Sequence, residues 1–127
     1  MKQKLLLIAV VLTASMSYGQ TKIESSLEQS YDGSAYTNLL GTNYEYDSNG
    51  NLLSMTELVW NGSQWTNFFK TLYTYNSNNK TTERLDQQWD GNQYTNQYRT
   101  LYTYNANELV TEILEQDWEN NQWGELL

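Results

Sequence analysis

A fixed period of 29 residues is the feature that most constrains how this chain folds. The segment WNGSQWTNFFKTLYTY, residues 60–75, returns as WDGNQYTNQYRTLYTY, residues 89–104, with 10 of 16 positions identical. A more diverged copy covers residues 31–46, and a fourth copy begins at Trp118. The copies start at residues 31, 60, 89 and 118, so their spacing is constant. Such spacing is typical of repeat proteins, in which each copy forms one supersecondary unit.

The N-terminus has the pattern of an export signal. Lys2 and Lys4 precede an apolar run over residues 5–12, and the small residues Ser17 and Gly19 suit cleavage before Gln20. The run is much shorter than the roughly 20 apolar residues that a membrane anchor needs. We therefore predict a signal peptide at residues 1–19 and a β-repeat domain at residues 20–127. The predicted location is secreted, periplasmic or at the cell surface, without membrane insertion after cleavage.

Composition argues against several classes of function. The chain has no histidine and no cysteine, so the usual catalytic bases, thiolates and transition-metal ligands are missing. No serine lies in a G-x-S-x-G turn. The formal net charge of −8 makes nucleic acid a poor partner. We expect a protein that is not an enzyme and that holds no cofactor and no metal, with another protein or a cell-surface polysaccharide as its partner.

Alternating apolar and polar residues between turn signals predict strands and no helices. The predicted strands cover residues 22–31, 36–46, 52–60, 64–75, 80–89, 93–104, 109–118 and 122–126. Tight turns alone join them, and tight turns connect antiparallel neighbours. The predicted fold is therefore all-β, an antiparallel up-and-down meander of about eight strands in a single curved sheet. A closed barrel is the alternative, and the unpaired outer strands offer a route to self-association.

Two kinds of turn alternate along the chain and should set the register. The dipeptides at residues 32–33, 61–62 and 90–91 are Asp-Gly or Asn-Gly, which predict two-residue type I′ loops. The segment Ser48-Asn49-Gly50 predicts a three-residue loop with Gly50 in the left-handed conformation and a bulge after it. Loops of this second kind should pair Tyr75 with Thr81 and Tyr104 with Val110.

Following these turns predicts that one face of the sheet is aromatic throughout. The expected members are Trp65, Phe69, Tyr73, Tyr75, Leu85, Trp89, Tyr94, Tyr98, Tyr102, Tyr104, Leu114 and Trp118. The other face should carry the cross-strand ion pairs Lys70–Asp86 and Arg99–Glu115. A column of acids at Glu28, Glu57, Asp86 and Glu115 is interpreted as a solvated, charge-paired row and not as a cation site.

Aromatic residues beside the first kind of turn form the candidate binding surface. The residues are Trp60, Trp65, Trp89, Tyr94, Trp118 and Trp123, with Asn67 and Asn96 two residues further along their strands. Flat rings beside amides suit a sugar. The same recurrence also fits cross-strand aromatic pairs that stabilise hairpin ends.

Residues 44–52, YEYDSNGNL, resemble the Y-x-Y-D-x-x-G-[NR]-L core of the YD repeats of Rhs-type secreted proteins. Together with the pattern W-[ND]-G-x-Q-[WY]-x-N, the chain is similar to small exported Bacteroidetes-type repeat proteins of uncharacterised function. This resemblance implies a non-enzymatic β array, structural or protein-interacting, at the cell envelope. The period is longer than a usual YD unit, and no toxin-like or protease-like segment is present. A further likeness to choline- and glucan-binding hairpin repeats implies a carbohydrate-binding module as the alternative.

Overall fold

The computed structural model describes residues 13–17 and 20–125, and their regular structure consists of antiparallel strands. The strands follow one another in the sheet in chain order. They are β1 Thr13–Ser17, β2 Gln20–Tyr31, β3 Tyr36–Tyr46, β4 Leu52–Trp60, β5 Trp65–Tyr75, β6 Thr81–Trp89, β7 Tyr94–Tyr104, β8 Val110–Glu119 and β9 Gln122–Glu125. The predicted fold class is confirmed: the chain is an up-and-down meander in one sheet that does not close.

The eight strands predicted after Gln20 correspond to β2–β9, with ends that differ by two residues at most. The additional strand, β1, lies within the predicted signal peptide and pairs with the start of β2. Lys2, Lys4 and the apolar run of that peptide lie outside the described residues, and cleavage stays a prediction. No helix long and apolar enough to cross a bilayer occurs in the part of the chain described.

Contacts divide the chain into two compact units. The first contains the chain up to Tyr44 together with Thr56–Phe68, and the second contains Glu45–Met55 together with the chain from Phe69 onward.

The turns at Asp-Gly and Asn-Gly are four-residue loops, so the type I′ prediction is wrong for them. Trp89 pairs directly with Tyr94, and only Gly91 of the loop between them has positive φ, at 100°. The Asp90 carboxylate accepts hydrogen bonds from the backbone N–H groups of Asn92 and Gln93, both at 2.8 Å. An aspartate that bonds the backbone two and three residues ahead favours this wider turn.

A two-residue loop of the predicted kind occurs instead between β8 and β9. Asn120 and Asn121 have φ of 51° and 61°, and the loop closes the pair Glu119–Gln122. A type I′ turn requires positive φ at both central residues, and asparagine tolerates this conformation better than most residues.

The second kind of turn forms as predicted. Tyr75 pairs with Thr81 and Tyr104 pairs with Val110. Gly50, Asn79 and Glu108 occupy the left-handed position, with φ of 92°, 59° and 60°. In each loop the first residue accepts backbone hydrogen bonds through its side chain, as Asp47 does from Asn49 and Asn51.

The bulge that follows this turn shifts the register and overturns the predicted ion pairs. Thr74 pairs with Glu83 immediately after the Tyr75–Thr81 pair, so one residue of β6 is extra. Asp86 consequently lies opposite Thr71, and Lys70 lies opposite Gln87. One repeat later, Arg99 lies opposite Gln116 and Thr100 lies opposite Glu115. The predicted register assumes that pairing continues after the turn without an extra residue. The extra residue in β6 shifts each later pairing partner by one position.

The same shift shows that the prediction of a single aromatic face is wrong. Tyr73 lies directly opposite Arg84, so the two side chains share a face. Trp89 is five residues beyond Arg84 on the same strand, and successive side chains alternate between faces. Tyr73 and Trp89 therefore point to opposite sides of the sheet, and both faces carry aromatic rings.

The buried residues of this sheet are polar. No hydrophobic residue among those described is buried, whereas the buried residues are Ser54, Thr71, Asp86, Thr100 and Gln116. The Thr71 hydroxyl donates to the Asp86 carboxylate at 2.8 Å, and the Arg84 guanidinium lies 2.9 Å from the same carboxylate. The Ser54 hydroxyl donates to the Glu45 carboxylate. Hydrogen bonds thus satisfy groups that would be costly to bury alone.

Candidate functional site

The six predicted site residues form three pairs of contacting rings. The ring centroids are 5.3 Å apart in Trp60–Trp65, 5.0 Å in Trp89–Tyr94 and 4.9 Å in Trp118–Trp123. The interplanar angles of 64°, 66° and 64° describe edge-to-face contacts, which suit the ring quadrupole. A fourth pair, Tyr31–Tyr36, has a centroid distance of 4.8 Å and a tilted geometry.

The turns create these pairs. The four-residue loop places Trp89 opposite Tyr94, and the two-residue loop places Trp118 opposite Trp123. Two different loops therefore produce the same ring contact, because each leaves the flanking aromatic residues directly opposed. Each pair lies at the end of its own hairpin, where it stabilises the strand ends.

Two of the rings are covered on one side by a cation from the preceding repeat. The Lys70 ammonium lies 5.9 Å from the centroid of the Tyr94 ring, and the Arg99 guanidinium carbon lies 4.4 Å from the centroid of the Trp123 ring. Lys70 and Arg99 are 29 residues apart, as are Tyr94 and Trp123. A cation over a ring face is a favourable contact, and it occupies a surface that a ligand would otherwise use.

Arg99 is held in place by further bonds. Its Nε donates to Gln116 Oε1 at 2.8 Å, and its Nη1 lies 3.7 Å from Glu83 Oε1. Gln116 is buried, and it lies on the strand between Arg99 and Trp123. The ring, the guanidinium and the amide thus form one connected contact across three strands, β7, β8 and β9.

Trp65, in the first unit, has a different neighbour. Gly41 occupies the repeat position of Lys70 and Arg99, and the Trp65 ring lies over its backbone. A Cβ atom added at Gly41 would lie 3.4 Å from the nearest ring carbon. The column of Gly41, Lys70 and Arg99 is not among the predicted site residues, although the 29-residue spacing connects its members.

The flanking amides are partly used within the sheet. Gln87 Nε2 donates to Asn96 Oδ1 at 2.8 Å, and Gln29 Nε2 donates to Asn38 Oδ1 at 2.7 Å. Asn96, predicted to flank a sugar, is therefore hydrogen-bonded to a neighbouring strand. The Tyr94 hydroxyl is buried and has no hydrogen-bond partner within the described chain, and burial raises the pKa of this phenol.

The acidic column does not gather into a metal site. The prediction of a solvated row is wrong for Asp86, which is buried and engaged by Thr71 and Arg84. Within residues 13–17 and 20–125, no three side chains of the metal-binding types His, Cys, Asp and Glu lie close enough to hold an ion.

The fold and the ring pairs define the class of protein: an antiparallel hairpin-repeat sheet in which side chains of neighbouring repeats contact one another. No protein-family model matches the chain, nor does any curated protein. Solved structures do match. A DUF3836 family protein from Bacteroides vulgatus is 27% identical, with a TM-score of 0.55, and the match covers 68% of this chain and 90% of that one.

Two other crystal structures also match the chain, and the first is similar in fold. A protein of unknown function from Bacteroides fragilis is 13% identical with a TM-score of 0.68, and the match covers 94% of this chain and 90% of that one. A DUF3836 family protein from Parabacteroides distasonis is 16% identical with a TM-score of 0.49, over 70% and 87% of the two chains. None of the three is named as a YD-repeat protein, so that resemblance stays a prediction.

Proposed function

We propose that this protein is an exported, non-enzymatic β-repeat module that acts as a structural or protein-interaction element at the cell envelope. The observation that carries the proposal is the distribution of apolar side chains: the described residues bury none, and several large ones are exposed. A sheet of this kind gains little from a core of its own and offers its apolar side chains to a partner.

Three of the exposed apolar side chains cluster at one end of β8. Leu109, Val110 and Ile113 are 63%, 48% and 57% exposed. β9 pairs only with the far end of β8, from Gln116 to Glu119, so within the described chain residues 110–115 pair with β7 alone. An unpaired strand edge with exposed apolar side chains is a surface on which another strand can pair.

Charge supports a protein partner over nucleic acid. The acidic balance of the chain disfavours polyanions, since phosphate contacts require clustered Lys and Arg. Arg84, Arg99 and Lys80 each form an ion pair within the chain.

Site-specific photocrosslinking tests this proposal. A photoreactive residue placed at Ile113 in cells that export the protein should crosslink to one envelope protein, identified by mass spectrometry. The matched control places the same residue at Glu112, which is the neighbouring position on the opposite face and is also exposed. Equal crosslinking from both positions, or none from Ile113, would contradict an interaction through this edge.

The second candidate, a carbohydrate-binding module on the Trp and Tyr pairs, is favoured at one place only. Lys70 and Arg99 cover the rings of Tyr94 and Trp123, whereas Trp65 has glycine beneath it. Pull-down with insoluble polysaccharides should therefore depend on Trp65. Retention that Trp65→Ala abolishes and Trp123→Ala leaves unchanged would support this function, and no retention of any polysaccharide would remove it.

A further inference from the structure

Trp65, Tyr94 and Trp123 occupy equivalent positions in three repeats. Of these three rings, Trp65 is the one whose neighbour is a glycine and not a cation. Tyr94 and Trp123 reach across one strand to Lys70 and Arg99, and Trp65 reaches across β4 to Gly41 in the same way. The loss of the side chain at Gly41 removes the group that fills the space beside the ring in the later repeats.

A second replacement lies on β4, the strand between Trp65 and Gly41. Gln87 and Gln116 lie at this position in the later repeats, and both donate or accept hydrogen bonds there. In the first unit the position is Leu58, which has an apolar side chain and no amide. Both polar side chains that accompany the ring elsewhere are therefore absent beside Trp65.

A groove of about 270 Å³ occupies the resulting space. Gly41, Leu58 and Trp65 form its apolar part. Leu27, which pairs with Gly41, and Asn43 have side chains on the same face as Gly41 and line the rest, whereas the Ser26 and Thr42 side chains point to the other face. Trp65 is half-buried, so part of its ring faces the solvent. The groove is smaller than the roughly 300–1,000 Å³ typical of sites for drug-sized ligands.

We infer that this groove binds a single neutral sugar ring. The apolar face of a pyranose would lie against Trp65 and Leu58, because flat aromatic and aliphatic surfaces suit its C–H groups. Its hydroxyls would exchange hydrogen bonds with the Asn43 amide, which offers both donors and an acceptor. No charged side chain is among the described residues that line the groove, so an uncharged sugar is favoured over an acidic or phosphorylated one.

This site rests on the second candidate function, the carbohydrate-binding module at Trp65, and does not depend on the interaction module. All the residues of the groove belong to the first unit, whereas the exposed apolar cluster on β8 belongs to the second. Crosslinking at Ile113 and sugar binding at Trp65 can therefore succeed or fail separately.

Titration of the purified protein with neutral monosaccharides tests the inference. The probes are the methyl glycosides of glucose, galactose, mannose, N-acetylglucosamine and xylose, followed by saturation-transfer NMR and by Trp fluorescence. A site of this size should bind one of them with Kd on the order of 1 mM. Gly41→Lys should fill the groove as Lys70 does and weaken binding at least about tenfold.

The matched control is Gly124→Lys, which adds the same side chain where nothing lies within 4 Å. It should leave binding unchanged. Leu58→Gln is the second filling variant, since it restores the residue of the later repeats, and circular dichroism shows whether each variant is folded. Binding that survives both filling variants in folded protein would overturn the inference, as would no binding of any of the five sugars.

Discussion

Arg99 lies over the ring of Trp123, with its guanidinium carbon 4.4 Å from the ring centroid. The two residues are on β7 and β9, and the buried Gln116 on β8 accepts a hydrogen bond from Arg99 between them. The contact therefore connects three strands without a hydrophobic core. It shows how side chains on a single sheet contribute stability to one another across a repeat boundary.

Replacing Arg99 should destabilise the end of the sheet. Arg99→Ala removes a cation–π contact of about 0.5–1 kcal/mol and a charged hydrogen bond, so we expect a total loss of about 1–2 kcal/mol. Urea unfolding followed by Trp fluorescence measures it. Arg99→Lys keeps the charge but loses the planar guanidinium. Its urea midpoint should lie between those of the original protein and Arg99→Ala. An unchanged midpoint for Arg99→Ala would show that the contact contributes nothing.

Glu108 is strained where its equivalents are glycine and asparagine. Its φ of 60° lies in the left-handed region, which costs a residue with a Cβ about 1 kcal/mol. Glu108→Gly should therefore stabilise the protein by about 0.5–1 kcal/mol in thermal or urea unfolding.

The control for this change is Glu108→Ala. It removes the same 3.7 Å contact with Lys80 but keeps the Cβ, so it should not stabilise the protein. The lost ion pair matters little, since both partners are exposed and such pairs contribute about 0–1 kcal/mol. Equal effects of glycine and alanine would contradict the backbone explanation.

Thr71 and Asp86 form a buried polar pair in the second unit, joined by a 2.8 Å hydrogen bond. Thr71→Val removes the hydroxyl donor and leaves the carboxylate with fewer partners, which should cost about 1–3 kcal/mol in chemical unfolding. Thr71→Ser keeps the hydroxyl and should recover most of that loss. If valine is tolerated as well as serine, the hydrogen bond does not stabilise the sheet.

Acid should weaken the turns that aspartate closes. The backbone N–H groups of Ala35 and Ser34 and the Ser34 hydroxyl lower the pKa of Asp32 from 3.8 to about 2. Backbone N–H groups of Gln93 and Asn92 likewise lower the pKa of Asp90. A lowered pKa in the folded state means that stability is present above pH 4 and is lost as pH falls toward 2.

The measurement is the urea midpoint at intervals between pH 5 and pH 2. The protein should lose stability through this range, and Asp32→Asn should lose less, since asparagine accepts the same backbone hydrogen bonds without titrating. A variant that follows the same pH curve as the original protein would show that Asp32 does not contribute to it.

The period and the turn signals were enough to predict the strands. The ends of β3 and β4 match the prediction, and the left-handed residues Gly50, Asn79 and Glu108 lie where the second kind of turn requires them. Strand boundaries depend on local residue preferences, which the sequence displays directly. The six aromatic residues of the candidate site also pair as the sequence predicts.

The faces of the sheet could not be predicted in the same way. One extra residue after Tyr75–Thr81 and another between Asn96 and Tyr98 reverse which side chains share a face. A bulge is fixed by how backbone hydrogen bonds resume after a turn, and the sequence pattern does not display that choice. The sequence therefore predicts Lys70 opposite Asp86, whereas Lys70 lies opposite Gln87 and contacts the Tyr94 ring.

Nuclear Overhauser effects (NOEs) between side chains test whether cross-repeat contacts on a bulged sheet cover the aromatic pairs of the later repeats. We expect NOEs from the Lys70 side chain to the Tyr94 ring and from the Arg99 side chain to the Trp123 indole. We also expect backbone NOEs that pair Thr71 with Asp86. Backbone NOEs that pair Lys70 with Asp86, with none to the Tyr94 ring, would contradict this arrangement.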